Sequence, residues 1–262
     1  MNQQRVSNRI DQVFQEKRDI LNIYFTAGFP GLDDTIRIAK ALESAGADML
    51  EIGIPFSDPV ADGPTIQHSS KVALDNGMNL SLLFDQMKTL RSEIQIPVLL
   101  MGYINPVIQF GIERFCDQCQ EVGIDGVIVP DLPMQEYLEH YEHIFRSRNI
   151  HNIFLVTPNT SEDRIQLIDE HSDGFIYLVS SSSTTGAKSD VQAGQQEYYE
   201  RIGAMNLRNP LLTGFGISNK ETFNAACVHT QGAIIGSAFI NQLNESADAS
   251  DIKKFIHAIK SQ

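Results

Sequence analysis

Eight short apolar runs recur along the 262-residue chain, each followed by a longer stretch with helical periodicity. The runs lie at residues 21–26, 49–52, 97–101, 126–129, 153–156, 175–179, 210–214 and 233–235. Their centres, at Tyr24, Glu51, Leu99, Val127, Phe154, Tyr177, Leu212 and Ile234, are 27, 48, 28, 27, 23, 35 and 22 residues apart. Most of these intervals fit one strand plus one crossover helix, and the two long ones leave room for an extra loop or helix. The runs are apolar on nearly every residue, as expected of strands covered on both faces. Between them, Ile36, Ile38, Ala39, Ala41 and Leu42 form an apolar helical face that Gly46 stops. Ile112, Phe115, Cys116 and Cys119 repeat the pattern before Gly123, and Tyr137, Leu138, Tyr141 and Phe145 form a later stripe. Eight β/α units in about 250 residues predict the α/β architecture of a (β/α)8 TIM barrel. Ile10, Val13 and Phe14, at helical spacing, predict an added N-terminal helix across the barrel's bottom. With no linker, low-complexity run or change of composition, residues 1–262 read as a single domain.

Composition narrows the function classes. Thirty-three acidic residues against 20 basic ones give a formal charge of −13. That balance argues against nucleic acid or an anionic membrane surface as partner, since both need Lys and Arg to meet phosphate. The longest strongly apolar stretch, residues 97–101, is too short to span a bilayer. Residues 1–19 contain no apolar run of the secretory type. Three cysteines, Cys116, Cys119 and Cys227, are too few for a disulfide framework and fit a reducing compartment. These features predict a cytoplasmic globular protein.

Active sites in this architecture lie at the C-terminal ends of the strands, so the polar residues that follow each apolar run carry the functional signal. The second run and its loop, EIGIPFSDPVADGPTIQ (residues 51–67), are the richest such place. Glu51 stands in a strand otherwise made of Met49, Leu50 and Ile52, and a carboxylate there is costly unless it is solvated or used. The loop is stiffened by Pro55, Pro59 and Pro64 and presents Asp58 and Asp62. A strand carboxyl and a loop carboxyl are able to share a substrate as proton donor and acceptor. The plainer alternative is an ion pair for Glu51 and Asx turns for the aspartates.

That segment closely resembles the signature of the tryptophan synthase α subunit family. YFTAGFP (24–30), MGYINP (101–106), VPDLP (129–133), GFGIS (214–218) and GAIIGS (232–237) are similar to the family's blocks in the same order. The resemblance implies a lyase that cleaves indole-3-glycerol phosphate to indole and glyceraldehyde 3-phosphate, a retro-aldol reaction without metal or organic cofactor. Glu51 falls on the family's catalytic glutamate, Asp62 on its catalytic aspartate, and Tyr177 on a tyrosine lining the active site. It also implies a pyridoxal-phosphate-bearing β subunit as partner, in an α2β2 heterotetramer. The stretches 55–59, 103–106 and 131–134 follow strands at the barrel mouth and combine proline with apolar side chains, which suits a docking surface.

A phosphate ester bound by so acidic a protein needs a local positive site, and backbone amides at helix N-termini provide one without Lys or Arg. SSSSTTG (180–186) follows the sixth run, GFG (214–216) the seventh and Gly236-Ser237 the eighth. Their joint placement on consecutive strand ends predicts a phosphate cradle that includes Thr185, Gly186, Phe215, Gly216, Gly236 and Ser237. The family's loop after the sixth strand usually ends Gly-Val-Thr-Gly. Here Ser183 and Thr184 replace the first two, while Thr185 and Gly186 match.

Other motifs point to packing. Cys116 and Cys119 form a C-x-x-C on an apolar helical stripe with no second pair. His140 and His143 alternate with acids on a polar helix face, His68 has no assignable role, and Lys188 reads as solvent-facing. A Schiff-base aldolase on this fold would need a lysine at an inward strand end, and the nine lysines fall on predicted helices or loops. A non-catalytic regulatory barrel is the other rival, against which the presence of both Glu51 and Asp62 counts.

Overall fold

Nine parallel strands form one sheet that curls into a nearly closed barrel in the computed structural model, which describes residues 8–179 and 188–260. The strands are β1 (Ile20–Thr26), β2 (Met49–Gly53), β3 (Val98–Met101), β4 (Gly126–Ile128), β5 (His151–Ile153), β6 (Leu155–Val156), β7 (Ile176–Val179), β8 (Leu211–Gly214) and β9 (Gly232–Ile235). Their order round the sheet is β5-β4-β3-β2-β1-β9-β8-β7-β6. Every predicted run forms a strand within two residues of its expected start. One differs in kind: the fifth run, expected at 153–156, begins at His151 and is broken at Phe154 into β5 and β6. β5 pairs with β4 and β6 with β7, and the Phe154 carbonyl between them accepts the Tyr177 N–H at 2.9 Å. That bond ties the residue at the break to β7, and the backbone runs on from β5 into β6 as one stave.

Helices pack outside, as the periodicities predict. The helix Asp34–Ala45 buries Ile38, Ala39, Leu42 and Ala45 and ends at Gly46, whose φ of 105° suits glycine. The helix Ile112–Val122 buries Phe115, Cys116, Cys119 and Val122, so both thiols pack in the core and burial raises their pKa values. The long interval after Glu51 holds the helices Pro64–Asp75, Leu80–Met87 and Leu90–Glu93, and that after Tyr177 the 17-residue helix Lys188–Ala204. The Tyr137–Phe145 stripe is helical with a π-turn at Tyr137–Tyr141.

The N-terminal helix Arg9–Glu16 closes the bottom of the barrel. Ile10 joins the interior cluster with Ile20, Met49, Leu99, Ile128 and Phe175, and the Phe14 ring lies 5.8 Å from Phe175. Gly126 and Gly174 make the space. A Cβ on Gly126 would lie 2.9 Å from Ile10 Cδ1, and one on Gly174 3.1 Å from Ile10 Cγ2. Asn8 caps the helix through the Ile10 N–H, while its own Nδ2 donates to the carbonyls of Asp125 and Asn149. With the bottom filled, the space left inside the barrel is at the opposite, C-terminal end of the strands.

Candidate active site

A cavity of about 590 Å³ opens at that end. Its walls include Tyr24, Glu51, Asp62, Tyr177, Phe215, Gly216, Gly236 and Ser237, with Ile66, Met101, Ile217 and Ile234 among the apolar ones. No Lys or Arg lines it among the described residues. Seven of the nine residues predicted from sequence therefore meet in one place. Thr185 and Gly186 lie outside the described residues.

Parity along the strands puts Glu51 inside. Met49 belongs to the interior cluster while Leu50 and Ile52 pack against the outer helices, so Glu51 shares the inner face with Met49. It is fully buried, between Tyr24 of β1 and Leu99 of β3 in register. Asn22 Nδ2 donates to Glu51 Oε1 at 2.6 Å, while Oε2 has no partner among the described residues. Burial pushes its pKa up to about 8, against the opposing pull of the Asn22 amide. At neutral pH the group is a carboxylic acid, able to give a proton.

Asp62 reaches the cavity from the loop. Its N–H donates to the Pro59 carbonyl at 3.0 Å, and Gly63 then opens the helix Pro64–Asp75 with proline in its first turn. Tyr103 Oη donates to Asp62 Oδ2 at 3.0 Å and accepts the Ala61 N–H at 3.1 Å, so one phenol fixes both the carboxyl and the turn that carries it. Partial burial raises the Asp62 pKa and the Tyr103 hydrogen bond lowers it. Asp58 is exposed, accepts the Ser57 hydroxyl at Oδ2 and is not among the residues lining the cavity. His68 is exposed, with its ring against Phe29.

Tyr24 and Tyr177 line the cavity with Glu51, and two glycines make them fit. A Cβ on Gly53 would lie 2.1 Å from the Tyr24 hydroxyl, and one on Gly214 2.1 Å from that of Tyr177. Burial, reinforced by the nearby carboxyls, raises both phenol pKa values, so both hydroxyls stay protonated. On the far wall, β8 turns at Phe215 and Gly216 with φ of 68° and 74°. β9 leads through Gly236 into the helix Ser237–Glu245, whose first residues, Ser237 and Ala238, line the cavity.

Asn22, Tyr24 and Tyr103 join the site without a distinguishing signal of function in the sequence. Asn22 shares with Glu51 only the pattern of a polar residue at an inward position of an apolar strand. The two tyrosines fit a strand and a loop equally well as core aromatics, so nothing in the sequence separates them.

A (β/α)8 barrel with two carboxyl groups of unequal environment in one mouth cavity has the means for acid–base chemistry on a small substrate. Its kind is fixed by comparison. The chain matches the family described as "Tryptophan synthase alpha chain" over residues 10–261. It is 56% identical over 252 residues to the tryptophan synthase alpha chain of Flavobacterium psychrophilum, covering 96% of this chain and 99% of the relative. Against that of Phocaeicola vulgatus it is 56% identical over 256 residues, covering 97% and 99%. The crystal structure of the alpha subunit from Legionella pneumophila superposes with a TM-score of 0.85 at 32% identity, covering 97% of each chain.

This chain belongs to the tryptophan synthase α chain family. It is a carbon–carbon lyase that cleaves indole-3-glycerol phosphate in tryptophan biosynthesis. Among the described residues no helix is long and apolar enough to cross a membrane.

Proposed function

We propose that Glu51 both delivers and removes the proton in this cleavage, that Asp62 holds the indole nitrogen, and that the backbone at Gly216, Gly236 and Ser237 holds the phosphate, with Thr185 and Gly186 completing the cradle. The observation that carries the reading is the buried Glu51 carboxyl, neutral near pH 7, with one oxygen tied to Asn22 and the other unpartnered. The acid proton passes to indole C3, which places positive charge on the ring nitrogen. An ionised Asp62 accepts that N–H, an interaction strongest when the charge is fully developed. The Glu51 carboxylate then takes the proton of the hydroxyl next to the scissile bond. As the O–H pair forms the aldehyde C=O, the C–C pair returns to the ring and indole leaves. Glu51 ends the cycle protonated, with no net proton gained or lost.

Tyr177 and Phe215, whose rings lie 6.2 Å apart, supply an apolar wall for the indole. The start of the helix Ser237–Glu245, where Ser237 and Ala238 line the cavity, offers its N-terminal backbone to the phosphate, and Gly216 lets the backbone approach closely.

The two carboxyls are needed in opposite protonation states, which sets the pH dependence. kcat/KM is expected to fall as pH rises through about 8, where free Glu51 loses its proton. It should fall again on the acid side as Asp62 gains one. Tyr103→Phe removes the bond that favours the charged aspartate, so its acid limb should move to higher pH with roughly a tenfold loss of kcat. A Tyr103→Phe profile identical to the parent would separate Asp62 from that limb.

The product is small, neutral and apolar, and the reading includes a pyridoxal-phosphate-bearing β subunit that receives it in an α2β2 assembly in the cytoplasm. Val60 and Ile108 are exposed large apolar side chains beside the mouth loops, at 89% and 51%. Those loops are pre-organised: the Phe56 and Tyr103 rings lie 5.2 Å apart, and the Ile104 N–H donates to Asp131 at 2.9 Å. Indole formation measured with the chain alone and then with saturating β subunit from the same source should rise on association. Absence of both association and a rate change would leave the chain a stand-alone lyase.

A further inference from the structure

We propose that Asn22 is a positioning residue that decides which oxygen of Glu51 exchanges protons with the substrate. Asn22 lies on β1, two residues before Tyr24 on the same inner face, and is fully buried. Its Nδ2 donates to Glu51 Oε1 at 2.6 Å. An oxygen that accepts this N–H has its lone pair engaged, so the acid proton resides on Oε2. Oε2 is the oxygen without a partner among the described residues, on a side chain that lines the cavity. The amide thus turns a symmetric carboxyl into one with a held side and a working side.

Two further observations support a role beyond packing. Asn22 Oδ1 is itself buried without a partner among the described residues, an arrangement that costs stability and that leucine or valine would avoid. Residues that break a local rule in this way concentrate at functional sites. Second, the N–H bond opposes the upward push of burial on Glu51. It keeps the group able to give a proton and to take one back. The other titratable groups facing Glu51 are Tyr24 from β1, Tyr177 from β7 and Asp62 from the loop, while its strand neighbours Met49, Leu99 and Met101 are uncharged. Both tyrosines remain neutral, which leaves Asn22 to orient the carboxyl.

The test compares Asn22→Leu and Asn22→Asp with the parent in the full chain, following indole release across the neutral and alkaline range. Asn22→Leu is expected to lower kcat by roughly tenfold to a hundredfold with KM changed less than about twofold. Its alkaline limb should move up by about one pH unit, since a carboxylate accepting two or three such bonds drops by roughly two. Asn22→Asp keeps the shape but sets a second buried carboxyl against Glu51 Oε1 to compete for its proton, so it should also lose kcat while inhibition by glycerol 3-phosphate stays at the parental level. A fall in melting temperature with kcat and KM changing together and no movement of the limb would make Asn22 a packing residue and overturn the proposal. So would parental kcat in Asn22→Asp. The proposal rests on the assignment of Glu51, and Glu51→Gln separates the two. An active Glu51→Gln removes the assignment itself, whereas an inactive Glu51→Gln beside a fully active Asn22→Leu removes only the role of Asn22.

Discussion

Glu51→Gln is expected to lose roughly 10²–10⁴-fold in kcat for indole release, the range that positioned proton transfer supplies. Glutamine keeps the shape of the side chain and its place beside Asn22, so inhibition by glycerol 3-phosphate should be unchanged. The same substitution has an opposite effect on stability. Glu51 has a folded-state pKa of about 8 against 4.5 for the unsheltered group, so the native state binds the proton more tightly than the unfolded chain does. Its full contribution is present below the unfolded value and is lost as pH rises through the folded one. At alkaline pH the parent must either bury a charge or open the site, and the glutamine variant need do neither. Glu51→Gln should therefore melt at a higher temperature than the parent above about pH 8, with the difference vanishing in mild acid. A variant keeping more than about a tenth of the parental turnover would remove Glu51 from the proton-transfer steps.

Gly236→Asp should weaken substrate and glycerol 3-phosphate binding by at least about a hundredfold. A carboxylate at the mouth of the helix Ser237–Glu245 meets the incoming phosphate dianion with like charge, and a unit pair at about 4 Å is worth roughly 4 kcal/mol near a protein surface. The side chain has room, since a Cβ at this position meets only Tyr24 carbons at 3.5–3.7 Å, ordinary contact. The backbone at φ −114° and ψ −81° lies outside the broad helical and extended regions, so a small fall in melting temperature is expected beside the much larger loss of binding. Unchanged inhibition by glycerol 3-phosphate would place the phosphate elsewhere.

What the sequence discloses depends on whether a residue contradicts its surroundings. Glu51 is conspicuous because a charge interrupts an apolar strand whose parity points it inward. Asn22 interrupts β1 in the same way, but a neutral amide is a weaker contradiction and its meaning depends on the carboxyl across the register. Tyr24, Tyr103 and the apolar walls Ile66, Met101, Ile217 and Ile234 contradict nothing, since a core would use the same side chains. The barrel itself is legible because each strand and helix declares its period locally. The break at Phe154 is not, because it is settled by which neighbours β5 and β6 find on either side. The helix over the bottom is visible in the spacing of Ile10, Val13 and Phe14, but the notch that admits Ile10 belongs to Gly126 and Gly174, more than 110 residues away. Among the glycines, those that admit the tyrosine hydroxyls, Gly53 and Gly214, look in sequence like any strand end.

The proposed proton transfers require Glu51 to rest as a neutral acid in the folded enzyme. Carboxyl 13C NMR of the glutamate-labelled chain, recorded as a pH titration with Glu51→Gln as the subtracted reference, reads that protonation state. One glutamate resonance, absent from the variant, is expected to titrate near pH 8, far above the ordinary carboxyl range. A Glu51 resonance already at its carboxylate position at pH 7, titrating with the surface glutamates, would contradict a neutral Glu51.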